Sequence, residues 1–218
     1  MRSVRTALFA ALALAASALS ACNIVATKQP LFTQADASPH HLRDGVWEPK
    51  PDSDKCVFDE STPVDSWPEC VDPVLVRNGE LLSWQRGAKV WKSDDTSKVL
   101  IVAGDPLILQ LYDKPEQSDP VYLYAGLDPK FDAEGRIIAF QAWPVVCGPP
   151  PPPAPGQKAS DDALAAGTKT PFPGMTMDEK GQSCTTTDPA ALRNAARASR
   201  ALVKKDLPAM RWIRDGDR

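Results

Sequence analysis

The sequence predicts a mainly β (α+β) fold: an antiparallel meander, arranged as a barrel or a sandwich, with one C-terminal α-helix. Three observations predict it. Val74-Leu75-Val76-Arg77 and Glu80-Leu81-Leu82-Ser83-Trp84 flank Asn78-Gly79, two residues that tolerate positive φ, and so read as a hairpin with a type I′ turn. Short β-prone runs follow at close spacing up to residue 146, punctuated by Gly, Pro and Asp. Asp188-Pro189 then opens an amphipathic run, with Asp suited to the N-cap and Pro to the first helical position.

From the N-terminus, Met1 to Arg5 form a short basic segment and Thr6 to Leu19 an Ala/Leu-rich run. That run has the length of a signal peptide and is too short for a relaxed membrane span. Leu19-Ser20-Ala21-Cys22 follows directly and resembles the lipobox of bacterial lipoproteins. The resemblance implies removal of residues 1–21 and acylation of Cys22 on its sulfur and its new amino group. Each buried methylene of such chains contributes ~0.8 kcal/mol, and more than one chain makes the anchor stable. Residue 23 is Asn rather than the Asp that resembles an inner-membrane retention signal. The expected location is therefore the inner leaflet of the outer membrane, facing the periplasm.

Residues 22–43 read as a lipidated tether ending at His40-His41, polar with scattered apolar positions. Twenty flexible residues span ~25 Å r.m.s.. A β domain is expected over 44–148. Asp44-Gly45-Val46-Trp47 reads as a turn into its first strand, and 48–73, dense in Pro, Asp and Ser, as a loop. After the hairpin, strands are expected at 88–92, 98–103, 107–112, 121–125 and 136–146, the last bent at Pro144. Residues 149–187 read as a Pro-rich, irregular linker that opens with the polyproline run Pro149 to Pro153. The helix is expected over 188–206, packed on the β domain, and 207–218 as a tail. On the helix, Leu192, Ala195, Ala196, Ser199, Leu202 and Val203 share one face. Arg193, Arg197, Arg200 and Lys204 form a ridge within roughly 60°, expected to face water or an anionic partner such as a phosphorylated envelope glycan.

Cys22 goes to lipid, and Cys56, Cys70, Cys147 and Cys184 remain. An even count in an oxidising compartment suggests two disulfides, and pairing nearest neighbours, Cys56–Cys70 and Cys147–Cys184, closes both loops with least chain. No CxxC is present, and the only histidines are the adjacent His40 and His41, so no metal site is expected. Without its leader the chain carries 23 basic and 28 acidic side chains, a soluble surface balance that does not point to nucleic acid. The charge divides into an acidic body, −9 over 22–184, and a basic end, +4 over 185–218.

The search for chemistry finds no catalytic motif, phosphate loop or cofactor signature. Ser or Cys nucleophiles normally need a histidine base, and both histidines fall in the expected tether. Asp94-Asp95, Asp128, Asp132 and Glu134 sit in or near expected turns, where Asp is common anyway; a carboxylate-based envelope hydrolase is the enzymatic alternative. Six tryptophans suit a core, or the wall of a ligand cavity.

Gly45-Val46-Trp47 before a run of strands and a C-terminal helix resembles the lipocalin plan, and a similar Gly-x-Trp opens small periplasmic protease inhibitors with lipocalin-like barrels. The resemblance implies that Gly45 lets the chain turn and Trp47 plugs a barrel end. The lipocalin Thr-Asp-Tyr element is absent. The expected role is a non-catalytic binding or envelope-maintenance protein, partnered by the membrane and an envelope glycan or protein, with carriage of a small apolar ligand or protease inhibition as the alternative. The sequence does not set the oligomeric state.

Overall fold

The computed structural model of the chain describes residues 23–49, 56–113, 121–152, 167–179, 181, 183–202 and 209–216, and only the backbone over 94–98. The leader, Cys22, residues 153–166 of the expected linker, Val203 and Lys204 lie outside the described residues.

Asn78 and Gly79 take φ of 53° and 77°, and the hairpin forms around them: β3 (Val74–Arg77) pairs antiparallel with β4 (Glu80–Gln85). The strands expected at 88–92 and 98–103 are one long strand, β5 (Val90–Val102), whose first half pairs with β4 and whose second half pairs with β6 (Leu107–Asp113). β7 (Val121–Phe131) runs well past its expected end, and β8 (Ile137–Pro144) stops at the proline. β2 (Gly45–Pro49) pairs with β3 as the meander requires.

The expected tail at 207–218 is instead a strand. β11 (Ala209–Arg214) lies between β2 and β8, antiparallel to both. Met210 and Trp212 turn inward and Arg211 outward, so Ala209–Arg214 has the period-two pattern of a half-buried strand. β6 also pairs with β7 along Leu107–Asp113. The pairings of these eight strands, β2 to β8 with β11, therefore run in a circuit.

The eleven-stranded sheet is nevertheless not a closed barrel. From β7 it branches into β1 (Ile24–Thr27), which pairs parallel with β10 (Ser183–Thr185); β10 then pairs with β9 (Thr176–Met177). The sheet is thus mixed, not the plain antiparallel meander expected.

This branch overturns the tether at 22–43. Asn23 and Val25 are 1% exposed and Phe32 is 2% exposed. The buried Gln110 side chain exchanges two hydrogen bonds with the backbone of Phe32, donating to its O and accepting from its N. The Tyr124 hydroxyl lies 2.6 Å from Thr27 Oγ1 and accepts from Leu31 N. Residues 28–43 form a strap that crosses β6 at Gln110, passes the end of β5 and reaches the start of β8: Ala37 bridges Val102, Ser38 N donates to Ile101 O, and Leu42 bridges Ile137. Backbone polar groups need partners, and the outward Gln110 and Tyr124 supply them here.

Three apolar clusters result. Trp47, Val74, Val76, Leu109, Leu127, Ile137 and Phe140 meet inside the strand circuit. Outside β6, β7 and β8, helix α1 (Pro189–Leu202) packs Ala191, Leu192, Ala195 and Ala196 with Val25, Phe32, Ile108 and Tyr124. The alanines let the helix approach closely. Trp143 Nε1 donates to Ala196 O, and Ser199 Oγ donates to Ala195 O while accepting from Val146 N. Outside β2, β3 and β4, the loop over 56–71 packs Val64, Trp67 and Val71 on Val46 and Leu75.

Both disulfides are present. Cys56–Cys70 staples that loop, and Cys147–Cys184 ties the end of β8 to β10. Their sequence separations are 14 and 37 residues. Loop closure then predicts that Cys147→Ala/Cys184→Ala lowers unfolding free energy by about 4 kcal/mol and Cys56→Ala/Cys70→Ala by about 3 kcal/mol. Urea melts of the two double variants check this order.

Candidate functional site

The strap, two hairpin turns and the helix meet at one end of the strand circuit and enclose an open cleft of about 390 Å³. One wall is the β5–β6 turn, Ala103 to Pro106, with a cis Asp105–Pro106 bond. The other is the end of β7, where Asp128, Pro129 and Phe131 face Ser38 and His40 of the strap. His40 is fixed on two sides: Nδ1 is 2.8 Å from Gly135 O, and the ring lies 4.5 Å from the ring of Phe131. Phe131 remains 43% exposed. Arg200 completes the rim, ion-paired with Asp128 and placed over the Trp143 ring at 5.2 Å. The pair is exposed enough, at 58% and 47%, for a solute to reach either partner.

The expected ridge on the helix does not stand free along its length. Arg193 Nη1 donates to Ala103 O at 2.6 Å, with the guanidinium 4.9 Å over the Phe32 ring. Arg197 Nε donates to Asp105 O at 2.9 Å. Arg193 and Arg197 therefore clamp the β5–β6 turn rather than standing in water. Arg200 alone of the described three borders the cleft. Cations cluster there because the turn presents carbonyl oxygens that no strand neighbour takes.

Gly45 and Trp47 lie near this same end. Gly45 has φ +128°, and a Cβ there would strike the backbone oxygen of Arg214 and lie 2.7 Å from Trp212 Nε1. Trp47 is 1% exposed in the interior cluster, and its Nε1 donates to Arg43 O at 2.8 Å. Arg43 in turn stacks 3.7 Å over Trp212 and pairs with Asp215. The strap's last residues and the last strand thus seal that end with two indoles and a guanidinium, a contact no sequence spacing signals.

The carboxylates that suggested hydrolysis do not converge. Asp128 pairs with Arg200, while Asp132 and Glu134 both pair with Arg136 in the β7–β8 turn. The side chains of Asp94 and Asp95 lie outside the described residues. Among the described residues no group of three or more His, Cys, Asp or Glu is placed to hold a metal.

One titrating group is displaced far from its ordinary range. Glu48 on β2 is 0% exposed; its Oε2 accepts from Arg211 Nη2 at 3.0 Å and its Oε1 has no partner. Arg211 shares itself with Glu60 at 2.7 Å. Burial pushes the Glu48 carboxyl from 4.5 up to about 7, with Arg211 opposing and Glu60 reinforcing. Between those values the folded chain holds a proton that the unfolded chain has released. Stability therefore falls as pH rises from 4.5 to about 7, by ~3 kcal/mol. Glu48→Gln is expected to flatten that fall and to be the more stable chain at pH 8; urea midpoints of both chains at pH 4.5 and pH 8 check it.

No protein-family model, curated protein or solved structure matches this chain.

Proposed function

We propose that the chain is a lipoprotein of the outer membrane, anchored through Cys22 in the inner leaflet, whose domain binds an anionic envelope glycan in the cleft at Phe131, His40 and Arg200. The single observation that carries the binding role is that cleft: an exposed aromatic face beside an arginine whose partner, Asp128, is itself solvent-accessible. A sugar ring stacks on Phe131, and its carboxylate or phosphate replaces Asp128 at Arg200. The lipobox Leu19-Ser20-Ala21-Cys22 supplies the anchor. No helix of the described residues is long and apolar enough to cross a membrane.

Carriage of an apolar ligand inside the strands is the weaker reading, because Trp47, Leu127, Ile137 and Phe140 occupy that interior. A carboxylate hydrolase is weaker too, since the described candidates are each paired with arginine.

Two measurements test the proposal. The intact mass of chain purified from membranes is expected to begin at Cys22 with diacylglyceryl and N-acyl groups; an unlipidated mass starting elsewhere overturns the anchor. Soluble muropeptides and phosphorylated oligosaccharides titrated into the protein are expected to shift the Phe131 and Arg200 resonances. Phe131→Ala or Arg200→Ala then weakens binding by about tenfold, the loss of one stacking or ionic contact worth ~1.4 kcal/mol. Equal affinity of both variants and the parent overturns the site.

A further inference from the structure

The lipid anchor proposed at Cys22, on which this inference rests, meets a domain that leaves it almost no free chain. Asn23, one peptide bond from Cys22, is 1% exposed. Its Nδ2 donates to Gly148 O at 2.9 Å, and its backbone O accepts from Cys147 N at 3.0 Å. β1 begins at the next residue and is paired with β10, and Val25 N donates to Val145 O. A single extended residue reaches ~3.6 Å, whereas twenty flexible ones would span ~25 Å. An acylated Cys22 therefore brings the surface around Asn23 to the headgroups.

We infer that this surface, made of residues 147–152 and 167–174 around the anchor point, is a membrane-docking face that lies directly against phospholipid headgroups and fixes the domain's orientation on the bilayer. The two segments are joined to each other and to the anchor point. Thr168 Oγ1 donates to Pro149 O, Phe172 N donates to Cys147 O, and the Cys147–Cys184 bond ties them to β10 beside β1. Their chemistry suits the contact. They are rich in proline and threonine, expose Thr170, Pro171 and Pro173, and carry one charge, the exposed Lys169. Among the described residues of these two segments there is no carboxylate to lose water on approach to the bilayer, and Lys169 meets the phosphates with favourable sign. On the opposite side of the strand circuit, β3 lies four strands from β7 by either path, and its outer face carries the stapled loop with exposed Val57. That loop points to the periplasm.

The test uses the full lipidated chain in phosphatidylethanolamine/phosphatidylglycerol vesicles, footprinted with hydroxyl radicals. Its companion carries about ten Gly/Ser residues inserted between Cys22 and Asn23, enough for ~17 Å r.m.s. of slack. Both chains are first weighed for lipid. The expected result is loss of labelling at Pro149 to Pro152 and Phe172 in the parent and its return in the insertion chain, with Val57 and Phe131 labelled alike in both. A lipidated parent labelled at 149–152 and Phe172 as strongly as the insertion chain overturns the docking face and leaves the anchor standing. A chain without lipid overturns both.

Discussion

The structure depends on one set of pairings, those that seat Ala209–Arg214 between Gly45–Pro49 and Ile137–Pro144. Without β11 the first and last strands of the meander would present two unpaired edges, and Trp47, Ile137 and Phe140 would face water instead of one another. An open edge is costly in unmet backbone hydrogen bonds and invites pairing with other chains. The same strand places Trp212 under Arg43 and Arg211 against Glu48, so the seal at one end and the buried carboxylate on the outer face both follow from it. Because β11 follows every other strand of the circuit in sequence, the circuit closes only when residues 209–214 have joined strands formed far before them.

The segments laid on the outside of the strands create the cleft. A bare hairpin turn at 103–106 would leave its carbonyls to water. The helix supplies Arg193 and Arg197 to them and so brings Arg200 to the rim. The strap, held by Gln110 and Tyr124, delivers His40 to Phe131. Burial raises the Tyr124 hydroxyl above its ordinary range, against the hydrogen bonds from Thr27 and Leu31. It therefore stays neutral and donates or accepts as the strap requires. The positions of the cleft residues are thus set by contacts between segments far apart in sequence.

A rigid domain beginning one residue after the proposed lipid site differs in consequence from a domain on a leash. On a leash, every face would visit the membrane and the periplasm. With a lipid at Cys22 as proposed, the ties from Asn23 to Gly148 and Cys147 would remove that freedom. The face turned to the bilayer would then be set by the fold rather than by diffusion.

Local chemistry made much of this legible. Asn78-Gly79 determined the central hairpin because only a few residues accept its dihedral angles, and Asp188-Pro189 determined the helix start for a similar local reason. Cysteine number suggested two disulfides and spacing favoured nearest neighbours among three possible pairings, the arrangement the structure holds. The mainly β class with one helix followed from these. What the sequence did not mark were the long-range pairings. Ile24-Val25-Ala26 is β-prone, but its burial depends on partners near residues 123, 146 and 184, and Ala209–Arg214 alternates like a strand yet has no flanking turn signal to name β2 and β8 as its partners. The arginine ridge was visible as a spacing, yet whether it meets water or carbonyls depended on where the β5–β6 turn lies. Periodicity and turn chemistry are local and were determined by the sequence alone; only the tertiary structure decided which faces are covered, because covering is a contact between distant parts of the chain.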